Sequence, residues 1–145
     1  MEGSKIKIII ADDNKDFSNI LNDYISMQMD IVVKGIAANG IEALDLIQEK
    51  KPDVVILDMN MPIIDGLGVL ERLTTMNFDI KPHILVLSAV AKKTTTQKAL
   101  ALGADYYILK PFSIETLVKK IRQIMNVAIL GPANISLNHT NKSKK

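Results

Sequence analysis

Five polar side chains that could carry out phosphoryl chemistry stand at, or directly after, the ends of short apolar runs. They are Asp12, Asp13, Asp58, Ser88 and Lys110. Three neighbouring carboxylates repel one another unless a cation lies among them, and oxygen ligands without histidine or cysteine favour a hard cation such as Mg²⁺. A hydroxyl and an ammonium group suit phosphoryl oxygens, and a carboxylate can accept a phosphoryl group as an acyl phosphate. The set therefore predicts Mg²⁺-dependent phosphoryl transfer to an aspartate.

Each of these residues has an ordinary explanation when it is considered alone. An Asp-Asp pair after a strand is usually a solvated turn or a helix N-cap, and Lys-Pro is a common loop dipeptide. What distinguishes the set is that its members follow four different predicted strands of one sheet. In open α/β sheets, ligands bind at the carboxyl ends of the strands. We therefore expect the five side chains to converge at one edge of the sheet.

The elements that must position this set alternate along the chain. Short runs rich in β-branched residues are separated by stretches with apolar groups three and four residues apart, the spacing of a helix face. The predicted strands are Lys5–Ala11, Ile31–Ala37, Val54–Leu57, His83–Ser88 and Tyr106–Leu109. Asn14, Asn39 and Ser113 stand where helix N-caps are expected, and Gly103 suits a left-handed helix end.

The first, third and fourth predicted strands are nearly continuous apolar runs, so both of their faces must be buried. Five such βα repeats predict an α/β fold, a doubly wound five-stranded parallel sheet of strand order 2-1-3-4-5, flavodoxin-like, with five helices. Half of a (β/α)₈ barrel is the alternative, but nothing would cover its open edges. We expect this domain to occupy residues 1–130, and residues 131–145 to form a flexible tail or the start of a linker.

The composition argues against several classes of function. No cysteine is present, so the 145-residue chain has no disulfide framework or thiolate metal site. Three of the 18 basic residues lie in the last four positions, which leaves 15 basic against 16 acidic residues in the rest of the chain. A nearly neutral domain with 4% aromatic residues does not suit direct nucleic-acid binding. Without a membrane-spanning run or a secretory signal, we expect a cytoplasmic protein that does not bind membranes.

Six segments together resemble the receiver domains of two-component response regulators. They are Ile10–Asn14, Val55–Pro62, Asp65-Gly66, Leu87–Ala89, Gly103–Tyr107 and Leu109–Phe112. The resemblance extends from residue 5 to about residue 126. Between the motifs, stretches such as Gly66–Glu71 are most similar to the receivers of sporulation transcription regulators. Membership of this family implies a signalling phosphoacceptor that catalyses only its own phosphorylation and dephosphorylation, and not an enzyme.

The resemblance implies a role for each carboxylate. Asp58 would accept a phosphoryl group from a phosphohistidine of a sensor histidine kinase or a phosphotransfer protein. Asp13 and Asp58 would bind Mg²⁺ directly and Asp12 largely through water, with the Asn60 carbonyl as a further ligand. Other divalent cations such as Mn²⁺ or Ca²⁺ could take the place of Mg²⁺.

The resemblance also implies a switch. Ser88 and Tyr107 occupy the hydroxyl and aromatic switch positions, Lys110 would contact the phosphoryl group, and a cis peptide bond before Pro111 would bring the ammonium to the site. Val90 offers no group to orient an attacking water, so we expect a long-lived acyl phosphate.

The output surface would be the face formed by helix 4, strand 5 and helix 5, which dimerises on phosphorylation in many relatives. Charged residues assigned to this face are Lys92, Lys93, Lys98, Asp105, Lys119 and Arg122.

The effector function that the receiver controls is expected to lie outside this chain. The resemblance implies control of transcription, in particular of the initiation of sporulation, with DNA bound only through a C-terminal domain that this sequence lacks. A stand-alone receiver acting in phosphotransfer or as an interaction module is the alternative. A haloacid-dehalogenase-like phosphotransferase is less compatible, because it needs an Asp-x-Asp motif after strand 1, where this chain has adjacent aspartates. A degenerate receiver is opposed by the complete set of polar residues.

Overall fold

The computed structural model describes residues 5–89 and 92–130, with side chains as far as residue 126. Val90, to which we assigned an effect on phosphoryl lifetime, lies outside the described residues, and so do residues 131–145, which we predicted to be a tail or linker.

Five strands alternate with five helices. The strands are β1 (Ile6–Ala11), β2 (Ile31–Ala37), β3 (Val54–Asp58), β4 (His83–Ser88) and β5 (Tyr106–Leu109). The helices are α1 (Lys15–Ser26), α2 (Gly40–Lys50), α3 (Gly66–Leu73), α4 (Lys93–Ala101) and α5 (Ile114–Leu130).

The strands form one parallel sheet in the order β2-β1-β3-β4-β5, which confirms the predicted fold. The predicted strand limits differ from the observed ones by a single residue at two ends. β1 begins at Ile6, and β3 includes Asp58, which pairs with Leu87 of β4. Asp58 is therefore held by the sheet itself and does not lie in the loop that follows it.

The predicted N-caps are confirmed, and they fix where three helices begin. Side-chain oxygens of Asn14, Asn39 and Ser113 accept a backbone N–H three residues later, at 3.1, 2.9 and 3.0 Å. Each bond satisfies a donor that has no partner within the helix. Gly103, at the end of α4, has a φ of 111°, a conformation in which glycine avoids the strain of a side chain.

Two apolar layers bury both faces of the central strands. On one face, alternate residues such as Ile9 and Val55 pack with α2, α3 and α4. On the other, neighbours such as Ile8 and Ile56 pack with α1 and α5. This is the burial that continuous apolar runs in a parallel sheet require. The carboxyl ends of β1, β3 and β4 are thereby fixed relative to one another by a rigid core.

Two of the residues that we assigned to the predicted output face also have partners that hold the fold together. Arg122 on α5 contacts both carboxylate oxygens of Asp30, at 2.8 and 2.9 Å, and so ties α5 to the segment between α1 and β2. Asp105 accepts the backbone N–H of Ile84 at 2.7 Å and lies 3.5 Å from Nδ1 of His83, so it closes the base of β4 and β5. Asp105 is nevertheless exposed, as are the four lysines of the set, Lys92, Lys93, Lys98 and Lys119.

No helix within the described part of the chain is both long enough and apolar enough to cross a membrane.

Candidate functional site

Three carboxylates meet where β1 and β3 end. Asp12 and Asp13 follow β1, and Asp58 ends β3, whose Leu57 pairs with Ala11 of β1. One oxygen from each carboxylate lies within 4.8 Å of the others. Asp12 and Asp58 are only 2% and 5% exposed, while Asp13 is open to solvent. The predicted convergence of the three carboxylates is therefore present in the structure.

β4 and β5 bring a hydroxyl and an ammonium group to the same edge. Ser88, the last residue of β4, is buried, and its carbonyl accepts the backbone N–H of Lys110 at 2.8 Å. Nζ of Lys110 lies 3.3 Å from Oδ1 of Asp58 and 3.6 Å from Oδ2 of Asp12. The peptide bond between Lys110 and Pro111 is cis. The lysine thus sits as a counter-charge directly beside the two buried carboxylates.

Asp12 carries a buried oxygen to which no described residue donates a hydrogen bond. Its Oδ1 accepts the N–H of Asn14 at 2.9 Å. Its Oδ2 has no hydrogen-bond partner among the described residues and faces Lys110 at 3.6 Å. Buried polar atoms are rarely left unsatisfied, so such an oxygen indicates a place for water or a cation.

The electrostatics of the site favour a cation as well. Burial raises the pKa of Asp58 above its ordinary value, and repulsion from Asp12 raises it further. Attraction to Lys110 acts in the opposite direction but does not cancel these effects. Three carboxylates around one ammonium leave excess negative charge, and their all-oxygen donor set fits a hard divalent cation such as Mg²⁺. Asp12, Asp13 and Asp58 are thus consistent with the Mg²⁺ site of a receiver domain.

The loop after β3 forms one wall of the pocket above these carboxylates. Met59 donates its N–H to the carbonyl of Leu87 at 3.0 Å and accepts the N–H of Gly66 at 3.0 Å. A Cβ on Gly66 would lie 2.7 Å from Cα of Met59 and 2.9 Å from the carbonyl oxygen of Asp58. Only glycine fits here without displacing the backbone of Asp58. Asn60 follows and is exposed at the rim of the pocket.

The pocket has a volume of about 550 Å³ and gathers most of the predicted site residues. Its lining includes Asp12, Asp13, Asp58, Asn60, Ser88 and Lys110. Tyr107 is half-buried and packs against the core on the side of α2, α3 and α4, and it does not line the pocket. The predicted lifetime effect of Val90 concerns a residue outside the described part of the chain.

Sequence reasoning missed several neighbours of the site. Lys92 and Thr95, at the start of α4, also line the pocket. Phe17, in the first turn of α1, has its ring centroid 5.4 Å from Nζ of Lys110. The rings of Phe17 and Phe112 meet edge to face, with centroids 6.0 Å apart and planes at 85°. The available signal was the position of Phe17, one helical turn after the Asp-Asp pair.

Comparisons with known proteins agree with this geometry. The family described as the response regulator receiver domain matches residues 8–122. The response regulator domain of Thermotoga maritima CheB is 31% identical, with a TM-score of 0.75, and the match covers 85% of this chain and 98% of that chain. A DNA-binding response regulator of the LuxR family from Staphylococcus aureus is 30% identical, with a TM-score of 0.75 over 82% of this chain and 98% of that one. The receiver domain of a Francisella response regulator is also 30% identical, with a TM-score of 0.73. That match covers 81% of this chain and 94% of the Francisella chain.

Receiver domains of this kind are signalling phosphoacceptors and not true enzymes, and their partners are histidine kinases. The acidic pocket with its lysine is the part of the fold that such signalling uses. From the family match over most of the chain and from this pocket, the chain belongs to the response regulator receiver domain family.

Proposed function

We propose that Asp58 accepts a phosphoryl group from a phosphohistidine of a sensor histidine kinase or a phosphotransfer protein. The observation that carries this proposal is the position of its carboxylate, buried at the end of β3 and 3.3 Å from the ammonium of Lys110. Asp12 is a weaker candidate because one of its oxygens is occupied by the N–H of Asn14. Asp13 is exposed and has no such counter-charge beside it in the described structure.

The chemistry is a transfer between two nucleophiles. A carboxylate oxygen of Asp58 forms a bond to phosphorus while the bond between phosphorus and the donor imidazole nitrogen breaks, and the imidazole keeps that electron pair. Lys110 neutralises charge on the moving group. Asp13, Asp58 and the Asn60 carbonyl would hold a Mg²⁺ ion, with Asp12 acting through water, and the ion would supply further neutralisation.

Phosphorylation would then favour a second conformation of the ends of β4 and β5, in which Ser88 and Lys110 lie closer to the phosphoryl group. It adds roughly −1.5 to −2 charges and three acceptor oxygens, which attract hydroxyl and ammonium donors. Ser88 and Lys110 are already linked by a 2.8 Å backbone hydrogen bond, so a movement of either affects both strands. Tyr107, inside β5, would carry the change to the face formed by α4, β5 and α5.

That face also has the character of a surface for a second copy of the chain. Leu100 on α4 and Leu109 on β5 are 46% and 45% exposed, and the surrounding lysines are exposed too. In this proposal, phosphorylation favours a homodimer through this face. The proposed receiver occupies residues 1–130, and residues 131–145 are proposed to be a tail or the start of a linker.

The proposed output is transcriptional control, in particular the initiation of sporulation. It is supported by sequence stretches similar to receivers of the stage 0 sporulation protein A type, and by a relative that is a DNA-binding response regulator. DNA binding would belong to a separate C-terminal domain, and the receiver acts in the cytoplasm on that domain. A stand-alone receiver would transfer its phosphoryl group onward instead.

Beryllofluoride, which mimics a phosphoryl group on aspartate, tests the switch directly. With Mg²⁺ and beryllofluoride, we expect amide NMR shifts in the pocket and also along α4, β5 and α5. In Asp58→Asn that already contains Mg²⁺, the addition of beryllofluoride should leave the spectrum unchanged. Shifts confined to the pocket of the wild-type chain would contradict the proposed output face, and a full response of Asp58→Asn would contradict the proposed phosphoacceptor.

A further inference from the structure

The ammonium of Lys110 is enclosed on more than one side. Carboxylate oxygens of Asp58 and Asp12 lie 3.3 and 3.6 Å from its nitrogen. The ring centroid of Phe17 lies 5.4 Å from the same nitrogen, which is within the range of a cation–π interaction. The two carboxylates attract the ammonium, and the ring offers it a further favourable contact that water would otherwise provide.

Phe17 is itself fixed to the site by two short hydrogen bonds. The carboxylate of Asp12 accepts the N–H of Asn14 at 2.9 Å. The side chain of Asn14 then accepts the N–H of Phe17 at 3.1 Å, which begins helix α1. Because these bonds join the carboxylate to the first turn of the helix, the ring is held in register with the acidic pocket.

The ring also contacts the loop that carries the lysine. Phe112 follows Lys110 by two residues, and its ring meets that of Phe17 edge to face at 6.0 Å. Aromatic pairs in this arrangement are favourable beyond the area that they bury. Phe17 therefore touches both the lysine and the segment that positions it.

We infer that Phe17 is a positioning residue for Lys110. The ring of Phe17, together with the carboxylates of Asp12 and Asp58, forms a binding site that keeps the ammonium beside Asp58. A lysine side chain is long and loses much rotational freedom when it is held in one place. The Lys110 side chain is 32% exposed, so solvent is an available alternative to the pocket. The inference rests on the proposed function, because it assigns Lys110 a role in phosphoryl transfer.

A purely structural role for Phe17 predicts something different. If the ring only packs against Phe112, any apolar side chain of similar size should serve. Phe17→Leu keeps much of the apolar volume but removes the aromatic face, whereas Phe17→Tyr keeps that face. The chain also offers a matched control in Tyr106, whose ring centroid lies 5.0 Å from Nζ of Lys120, away from the pocket.

The first test measures phosphorylation by acetyl phosphate in Mg²⁺, followed by intact mass. We expect Phe17→Leu to lower the rate about two- to fivefold, the size of an exposed cation–π contact, and Phe17→Tyr to restore it. Tyr106→Leu should leave the rate unchanged. In a Lys110→Ala background, Phe17→Leu should have no further effect, because the partner of the ring is already gone. An equal effect of Phe17→Leu in both backgrounds would overturn the inference.

The second test needs no phosphoryl donor. In the wild-type chain, the ring current of Phe17 should shift the NMR signals of the Lys110 Hε protons upfield, and Phe17→Leu should return them to ordinary values. Unshifted Hε signals in the wild type would overturn the inference even if Lys110→Ala reacts too slowly to compare. A shifted Lys110 signal in a chain that acetyl phosphate never modifies would instead refute the proposed function and leave the binding site of the ammonium in place.

Discussion

Lys110 reaches Asp58 across an intervening strand, with its ammonium nitrogen 3.3 Å from Oδ1 of the carboxylate. β3 and β5 both pair with β4, so the two residues end strands that are about 10 Å apart. A long side chain is needed to span that distance, while Ser88 on β4 lies between them. The positive charge of the site is thus supplied from the residue that follows the outermost strand.

Removing this charge should strengthen Mg²⁺ binding. In Lys110→Ala the carboxylates lose their counter-charge, and a divalent cation no longer competes with the ammonium for the same oxygens. We expect the Kd for Mg²⁺ to fall by about fivefold, roughly 1 kcal/mol, in an NMR titration. Asp13→Asn should move the Kd in the opposite direction. Weaker Mg²⁺ binding in Lys110→Ala would show that the lysine does not compete with the metal.

The raised pKa of Asp58 predicts a pH-dependent gain in stability when its charge is removed. A carboxyl whose pKa is higher in the folded state stabilises the fold below its ordinary value of 3.8, and this stabilisation is lost as the pH rises through the folded pKa. Without Mg²⁺, Asp58→Asn should therefore have a higher Tm than the wild type near neutral pH. The difference should shrink on acidification toward pH 3.8. A lower Tm for Asp58→Asn at neutral pH would contradict this electrostatic account.

His83, the first residue of β4, should make the stability of the fold depend on pH near and above neutrality. Its pKa is raised by the hydrogen bond to Asp105, and charge attraction from Asp105 and Asp53 adds to the effect, against the cost of burial. Stabilisation is therefore complete below the ordinary value of 6.5 and is lost as the pH rises through the folded pKa. We expect the wild type to exceed His83→Gln in free energy of unfolding below pH 6.5, and the difference to shrink as the pH rises above that value.

Asp105→Asn provides a control for this prediction. The variant keeps an oxygen that can accept the N–H of Ile84, but it removes the charge that faces His83. Urea unfolding of Asp105→Asn should show little of the pH dependence that the wild type shows as the pH rises above 6.5. An unchanged pH dependence in both variants would assign the effect to another group.

Gly66 should be intolerant of even a methyl group. A Cβ there would lie 2.7 Å from Cα of Met59 and 2.9 Å from the carbonyl oxygen of Asp58, both backbone atoms that cannot move freely. Gly66→Ala should lower the free energy of unfolding by about 1–3 kcal/mol and also weaken Mg²⁺ binding, since the loop after β3 must shift.

The same substitution at Gly35 on β2 serves as a control. A Cβ there would lie 3.0 Å from the flexible ends of the Leu46 side chain and 3.5 Å, an ordinary contact distance, from Cδ1 of Ile9, so Gly35→Ala should be close to neutral. If Gly35→Ala destabilised the chain as much as Gly66→Ala, close packing near Asp58 would not be the reason. Denaturant unfolding of the two variants side by side measures the difference.

The fold and most of the pocket could be predicted because their signals are local. Apolar runs mark the buried strands, and the residues that follow them, such as Asp12 and Lys110, must then lie at one edge of a parallel sheet. The N-caps were equally accessible, because each of them accepts an N–H only three residues away.

What sequence reasoning missed depends on partners that are distant along the chain. Helical spacing places Arg122 on an outer face of α5, but it does not reveal that Asp30 lies within 2.8 Å. Asp105 was assigned to the output surface from the family resemblance, which does not reveal its contacts with Ile84 and His83. Phe17 precedes Lys110 by more than 90 residues, and only the three-dimensional structure shows that its ring lies beside Lys110.

The most direct test of the account is the mass of the intact chain after incubation with acetyl phosphate and Mg²⁺. We expect one phosphoryl group per chain, located on Asp58 by borohydride reduction and peptide mapping, and absent from Asp58→Asn and from reactions with excess chelator. An unmodified wild-type chain, or a phosphoryl group mapped to Asp12 or Asp13, would contradict the claim that Asp58 is the phosphoacceptor.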